Sequence, residues 1–157
     1  LTKLRHEKLG IIFQSFNLLP VLNVFENVEF PLLIGIKKIR KKERQEWVHH
    51  LLEEVGLSDR KFHKPSELSG GQQQRVAIAR ALAVKPEVII ADEPTANLDS
   101  ETGEQILELM KTINREQQTT FVFSTHDERI RKMADHIIFL KDGSIVSEHK
   151  PAKEVIV

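Results

Sequence analysis

Short apolar segments of strand length recur along the chain between longer helical segments, and this alternation restricts the fold more than any other feature. Strands are predicted at Leu9–Phe13, Val88–Ala91 and Thr119–Ser124. The unbroken apolar run of the second strand predicts that it is buried on both faces. Because helical segments separate the strands, we expect a parallel sheet with right-handed crossovers. The sequence therefore predicts an α/β fold with a mainly parallel sheet core.

Local signals mark where helices begin and end. An amphipathic helix is predicted from about Lys41 to Val55, and Gly56 is its expected stop. Ser69 is predicted to cap a second helix, whose surface is heavily apolar. A third helix is expected to start near Ser100, and Asp142-Gly143 favours the tight turn of a hairpin.

Composition and charge narrow the functional classes. The 157 residues suffice for one domain with a core, and 23 basic side chains balance 23 acidic ones. A net charge of zero excludes the positive field expected of a general nucleic-acid binder. The lack of cysteine excludes disulfides, thiolate zinc sites and thiol nucleophiles. No apolar run approaches the roughly 20 residues that a bilayer-spanning helix needs.

Two groups of charged residues are assigned structural roles. The basic cluster between Lys37 and Arg44 is interrupted and followed by acidic residues, which favours a solvated helix start. Arg75 and Arg80 lie in the helix that follows Ser69. Interior ion pairing is expected for both, and compensation of transition-state charge is the alternative.

The segment Leu68-Ser69-Gly70-Gly71-Gln72 is the strongest functional signal. Its two glycines leave backbone amides uncovered at a helix amino terminus, where the helix dipole favours anions. Ser69 and Gln72 add side-chain donors. These features alone allow either a phosphate-binding turn or a capped helix start with a flexible loop before it.

The longer run LSGGQQQRVAIARAL resembles the signature motif of ABC-transporter ATPases, and the chain carries four more motifs of that family in the family's order. Gln14 matches the Q-loop glutamine, Val88–Glu93 the Walker B strand, Ala96–Asp99 the D-loop and His126 the H-loop histidine. The resemblance implies a partial P-loop NTPase fold with a helical subdomain inserted after the Q-loop. It also implies that Leu68–Gln72 bind the γ-phosphate of ATP held by the opposite subunit.

The residue types at these positions suit Mg²⁺-dependent ATP hydrolysis. Asp92 and Glu93 follow an apolar strand, at the sheet edge where ligands bind in α/β folds. Asp92 is predicted to help hold Mg²⁺, and Glu93 to orient or deprotonate the attacking water. The structural alternative is an acidic pair that opens the next helix. Gln14 is predicted to coordinate Mg²⁺ or the water, and His126 to contact the γ-phosphate. Asp99 is expected to be both a D-loop contact and a helix cap.

The sequence G-x-x-x-x-G-K-[ST] does not occur in the chain, although the P-loop supplies most of the phosphate cradle in this family. The chain also begins with Leu1 rather than Met. We therefore expect a missing amino-terminal portion, and a fragment that alone neither hydrolyses ATP measurably nor binds it tightly. Residues 1–14 are expected to form the end of a core strand and the Q-loop. The helical subdomain would cover 15–67, and the signature helix with the carboxyl-terminal part of the core would cover 68–157.

Within the family, the segments KLGIIFQSFNLLPVLNVFENVEFPL and ADEPTANLD look most like the LolD/MacB-type group, which serves lipoprotein release and export. This resemblance implies a head-to-tail pair of ATPase subunits bound to an integral membrane transporter subunit, at the cytoplasmic face of the inner membrane. The apolar stretch from Phe16 to Leu33 suits gripping a helix of that subunit. Two alternatives stay open: a non-transport ABC ATPase, and a non-catalytic half-site that completes another subunit's ATP site. No nucleic-acid partner is expected.

Overall fold

The computed structural model describes residues 8–35 and 38–150, which fall into two compact units divided between Ser124 and Thr125. The first unit contains β1 (Leu9–Ile12), α1 (Val24–Ile34), α2 (Lys41–Glu54), α3 (Gly70–Leu82), β2 (Val88–Asp92), α4 (Ser100–Gln117) and β3 (Thr120–Ser124). The second contains α5 (Glu128–Met133), β4 (Ile137–Lys141) and β5 (Ser144–His149). Lys37, at the start of the predicted basic cluster, lies outside the described residues.

The three strands of the first unit form a parallel sheet in the order β1-β2-β3, which confirms the predicted fold class. Ile12 pairs in register with Ala91, and Asp92 pairs with Ser124. Because parallel strands point the same way, all three end at one edge of the sheet. The loops after β1 and β2 therefore leave from neighbouring positions.

Only one face of this sheet is well buried by the described chain. Ile89 and Ala91 are fully buried in a core cluster that side chains of α3 and α4 complete. On the other face, Ile11, Ile90 and Val122 lie side by side in register and are 36%, 37% and 50% exposed. The prediction that Val88–Ala91 is buried on both faces is therefore wrong, because α3 and α4 contribute their apolar side chains to the opposite face.

Local side-chain chemistry marks the start of α1 and the end of α2. Asn23 and Glu26 form a capping box at α1, each side chain accepting a 2.8 Å hydrogen bond from the other residue's amide. Helical spacing predicts a buried face of α2 made of Trp47, Val48, Leu51, Leu52 and Val55; the last four are buried, whereas Trp47 is half-buried. Gly56 then adopts a φ of +69°, a left-handed conformation that glycine accepts without strain. Trp47 donates its Nε1 proton to the Ala83 carbonyl at 2.9 Å, which ties α2 to the end of α3.

The predicted interior ion pairs of Arg75 and Arg80 are wrong. Arg75 donates from Nη1 to the Val55 carbonyl at 3.1 Å. Arg80 donates to the carbonyls of Phe16 and Asn17 at 2.8 and 2.6 Å. Both guanidinium groups point at loop or helix-end carbonyls, where unpaired backbone acceptors take the place that carboxylates were expected to fill.

The second unit, by itself, is a short helix followed by a hairpin. Asp127 caps α5 by accepting a hydrogen bond from the Arg129 amide at 2.8 Å. Strands β4 and β5 pair antiparallel across Asp142 and Gly143, whose φ angles of 50° and 76° give the predicted tight turn. Across residues 8–35 and 38–150, none of the helices has the length and apolar character needed to cross a bilayer.

Candidate functional site

The amino terminus of α3 is exposed and capped, as the sequence predicts. Ser69 Oγ accepts from the Gln72 amide at 3.3 Å, and Gln72 Oε1 accepts from the Ser69 amide at 2.9 Å. This capping box uses only the acceptor oxygens of the two side chains. The hydroxyl proton of Ser69 and the two protons on the side-chain amide nitrogen of Gln72 take no part in these two hydrogen bonds. The capped turn therefore still has hydrogen-bond donors to offer an anion.

Packing requires a glycine at one of the two glycine positions of this turn but not at the other. A Cβ on Gly71 would lie 2.3 Å from Thr102 Cγ2, so only glycine allows α3 to pack this closely on α4. A Cβ on Gly70 would meet Leu98 Cδ2 at 3.5 Å and the Asn97 carbonyl at 3.6 Å, which are ordinary contacts. Packing thus explains Gly71, whereas it leaves Gly70 free to vary.

Asp92 and Glu93 lie at the carboxyl edge of the sheet, as predicted. Asp92 is the last residue of β2 and is exposed. Glu93 has a φ of +43°, and its amide donates to the Ser124 carbonyl at 2.9 Å. Left-handed backbone is uncommon for a residue with a Cβ, and Glu93 adopts it directly after the carboxyl end of β2. The structural alternative, an acidic pair that opens the next helix, is wrong because α4 begins seven residues later, at Ser100.

Asp99 caps α4, which confirms the second of its two predicted roles. Its Oδ1 accepts from the Thr102 amide at 3.0 Å. Hydrogen bonds from the side chain and then the backbone of Thr102 hold the pKa of the Asp99 carboxyl below its usual range. The cap therefore favours the ionised carboxylate at the positive end of the helix dipole.

The loop that carries Gln14 is joined to the loop after β2. Asn97 donates from Nδ2 to the Gln14 carbonyl at 2.9 Å. Gln14 itself is exposed, and it follows β1, whose Ile12 pairs with Ala91 one residue before Asp92. The structure therefore brings Gln14, Asp92 and Glu93 to neighbouring strand ends of one sheet.

Gln74 also holds this region together, and the sequence pattern did not single it out. Its side chain is fully buried, and Nε2 donates to the Pro94 carbonyl at 2.6 Å. Within the described part of the chain, its Oε1 has no hydrogen-bond partner. Gln74 thus fixes α3 to the residue that follows Glu93. It is the last of three consecutive glutamines, Gln72 to Gln74, and the sequence does not show which of the three is buried.

His126 belongs to the second unit, between the end of β3 and the start of α5. Thr125 Oγ1 accepts from the Asp127 amide at 3.0 Å, which shapes the backbone on either side of His126. The predicted contact of His126 with a γ-phosphate stays a prediction.

The donors and acceptors on these elements fit a magnesium–nucleotide complex. The α3 terminus offers backbone amides, a hydroxyl and a side-chain amide, which are phosphate ligands. Asp92 and Gln14 offer hard oxygen atoms. Mg²⁺ usually takes one or two protein carboxylates and completes its octahedron with water and phosphate oxygens. Residues 8–35 and 38–150 contain no cluster of three or more His, Cys, Asp or Glu side chains able to hold a metal.

Comparisons with known proteins give a uniform result. A family profile described as ABC transporter matches residues 2–96. An uncharacterised ABC transporter ATP-binding protein of Methanocaldococcus jannaschii, MJ0796, is 49% identical over 152 residues, which are 96% of this chain and 65% of the relative. The lipoprotein-releasing system ATP-binding protein LolD of Legionella pneumophila is 44% identical over 143 residues, covering 91% of this chain and 62% of that protein. The macrolide export ATP-binding/permease protein MacB of Shewanella is 47% identical over 156 residues, 99% of this chain but 23% of its own length.

Solved structures agree with the sequence relatives. The dimeric, post-hydrolysis structure of the MJ0796 cassette bound to ADP and Pi superposes with a TM-score of 0.82 at 47% identity, covering 95% of this chain and 65% of that one. Protein cbiO1 of Clostridium perfringens, part of an ABC transporter complex, gives a TM-score of 0.86 at 31% identity, with 96% and 59% coverage. The chain thus spans less than two thirds of the length of these relatives.

Proposed function

The chain belongs to the ABC transporter family of ATP-binding proteins, and from this premise we propose that it is part of an ATP-hydrolysing subunit that drives export or lipoprotein release through a membrane partner. The observation that carries the proposal is the placement of Gln14, Asp92 and Glu93 at adjacent ends of parallel strands. The same unit contains the capped amino terminus of α3, whose capping box leaves side-chain donors available. LolD and MacB, the relatives with named systems, serve lipoprotein release and macrolide export.

Each residue has a defined task in this proposal. Asp92 would help to hold Mg²⁺ and Gln14 would coordinate Mg²⁺ or the attacking water, both through side-chain oxygen atoms; when bound, the ion would supply neutralisation of phosphate charge. Glu93 orients the attacking water or accepts its proton. His126 contacts the γ-phosphate and helps to position that water. The left-handed backbone at Glu93, anchored by the bond from its amide to the Ser124 carbonyl, limits the directions in which its carboxylate can point.

The Leu68–Gln72 turn acts on a second subunit's nucleotide. Its donors surround the amino terminus of α3, where a γ-phosphate from the other copy would meet backbone amides, the Ser69 hydroxyl and the Gln72 side-chain amide. A head-to-tail pair then builds two sites, each from the Glu93 side of one copy and the Ser69 side of the other. The dimeric MJ0796 cassettes support this assembly.

Mixing two inactive variants of the full-length protein tests the shared site. Ser69→Arg blocks the signature turn with a bulky side chain, and Glu93→Gln removes the base while keeping its shape. In a mixed dimer one site carries both defects and the other carries neither, so a 1:1 mixture should regain about a quarter of wild-type ATPase activity. Each variant alone is the control. A mixture no more active than its components would show that the two residues serve the same copy's site.

A separate prediction concerns the activity of the isolated 157-residue chain. Since no G-x-x-x-x-G-K-[ST] segment occurs in the 157 residues, no lysine-bearing loop is present to cradle the β- and γ-phosphates. We expect the purified 157-residue chain to turn over no Mg-ATP and to bind it weakly. Measurable turnover that Glu93→Gln abolishes would refute this expectation.

We further propose that the membrane partner docks in a groove beside β1. The groove has a volume of about 430 Å³ and lies between β1, the loop after it, α1 and the end of α3. Its apolar lining includes Ile11, Phe13, Leu19, Phe30, Ile34 and Val84. Phe30 and Ile34 are 36% and 56% exposed, so apolar surface is available to an incoming helix. The chain would then be held peripherally at the cytoplasmic face of the membrane.

Charge placed in the groove tests this docking. Phe30→Glu should weaken co-purification with the membrane subunit by roughly tenfold or more, because a buried unpaired carboxylate opposes an apolar contact. Basal ATPase activity of the isolated subunit is the second measurement and should not change. The matched control is Phe62→Glu, at a phenyl ring that is 74% exposed and does not line the groove. Equal effects of both variants would reject the groove as the docking site.

A further inference from the structure

The turn after Gln14 adopts a backbone that its sequence does not favour. Phe16 and Asn17 have φ angles of 61° and 48°, so two successive residues are left-handed. Asparagine tolerates this region, but a bulky aromatic residue rarely adopts it. Two short-range bonds shape the turn, from the Phe16 amide to the Phe13 carbonyl at 3.1 Å and from the Asn17 amide to the Ser15 carbonyl at 2.6 Å. An unfavourable conformation persists only where surrounding contacts hold it.

Arg80 supplies those contacts. Its two terminal nitrogens donate separately to the carbonyls of Phe16 and Asn17, at 2.8 and 2.6 Å, so one guanidinium spans both left-handed residues. The planar fork of arginine fixes the spacing of the two donors, which lysine cannot reproduce. Burial lowers the pKa of the Arg80 guanidinium, as expected for a cation that carbonyl dipoles rather than a carboxylate compensate.

The turn has a second anchor on the other side. Asn97 donates to the Gln14 carbonyl at 2.9 Å, and the Phe16 ring lies close to Gly70 at the start of α3. Asn97 therefore holds the backbone of Gln14 at its own carbonyl, and Arg80 holds the chain just after it at the carbonyls of Phe16 and Asn17. Its side chain stays exposed.

We propose that Arg80 is a positioning residue, which holds the turn after Gln14 so that the Gln14 amide oxygen is presented to the nucleotide-bound cation. The effect on cation binding rests on the proposed ATPase function, whereas the role of Arg80 in holding the turn does not. Arg80 bonds to the backbone carbonyls of Phe16 and Asn17, and it acts on Gln14 through that backbone.

Hydrogen exchange of the full-length protein without nucleotide tests the clamp itself. In Arg80→Lys, the amides of the peptide 14–18 should exchange about tenfold faster or more, because the turn opens more often. The matched control is Arg75→Lys, which alters a guanidinium of the same helix whose carbonyl partner is Val55. It should affect the region around Val55 and leave 14–18 unchanged. Unchanged exchange at 14–18 in Arg80→Lys would overturn the proposal. Arg80→Met, if it folds, should give the larger increase.

Kinetics of the same variants test the consequence. Arg80→Lys should raise the Mg²⁺ concentration that gives half-maximal ATPase activity by roughly tenfold. In a Gln14→Ala background the same substitution should change it less than about twofold, since the group being positioned is gone. An equal effect in both backgrounds would overturn a role through Gln14. If the wild-type protein shows no ATPase activity, the proposed function fails, whereas the exchange experiment still decides whether Arg80 holds the turn.

Discussion

Replacing Gly71 with alanine tests how closely the signature helix packs on α4. The new Cβ would lie 2.3 Å from Thr102 Cγ2, more than about 1 Å inside the 3.5–4.0 Å separation that carbon atoms prefer. Either Thr102 must change rotamer or the two helices must separate. Overpacking of this kind costs about 1–3 kcal/mol, while replacing a helical glycine with alanine returns about 0.5–1 kcal/mol. We expect a net loss of about 1–2 kcal/mol in the free energy of unfolding.

Urea unfolding of the full-length protein, followed by circular dichroism, measures this loss. Gly70→Ala is the matched control, because its nearest contact would be 3.5 Å and no destabilisation is expected. Thr102→Ser, introduced into Gly71→Ala, removes the methyl group that clashes and should restore most of the stability. If Gly71→Ala is as stable as Gly70→Ala, the close packing of α3 on α4 is not what requires a glycine at this position.

Three further predictions follow from single contacts. Glu93→Gln should lower the ATPase rate of the full-length protein by about 10²- to 10⁴-fold while nucleotide binding, measured by calorimetry, persists; loss of binding would contradict the assigned role. Trp47→Phe leaves the buried Ala83 carbonyl without its 2.9 Å donor and should destabilise the fold by about 1–2 kcal/mol in urea unfolding, whereas unchanged stability would show that the bond contributes nothing. The pKa of Asp99 is lower in the folded protein than in the unfolded chain. The cap should therefore stabilise α4 fully at pH values above the pKa of an unfolded aspartate. This stabilisation should be lost as the pH falls through the lowered pKa of the folded state. Unfolding curves of wild type and Asp99→Asn, compared across that acidic range, should therefore converge as the pH falls; a constant difference would count against the cap.

The sequence determined the elements whose signals lie within a few residues of each other. The cap at Ser69, the cap at Asp99 and the turn at Asp142-Gly143 all formed as predicted. Hydrophobic periodicity gave the buried face of α2, and the order of strands and helices gave the parallel sheet. These features depend on local backbone preference and on period, which a single sequence displays directly.

The family motifs identified candidate site residues that local sequence patterns alone would not have singled out. The pattern at Asp92 and Glu93 predicted a strand end, and the structure places both there, next to the loop that carries Gln14. Their tasks in hydrolysis, and that of His126, stay predictions. Gln74 was not predicted, since a polar residue in an apolar helix does not disclose which carbonyl it reaches.

Only the tertiary structure decided which distant groups meet. Arg80 was expected to find a carboxylate, yet it spans two carbonyls 63 and 64 positions earlier in the chain. The need for glycine at position 71 follows from a methyl group on another helix, and the exposure of Ile90 depends on which of the described elements pack on the sheet. Such contacts depend on how helices and sheet pack in space. Sequence periodicity fixes which face of an element is apolar, but not which partner covers it.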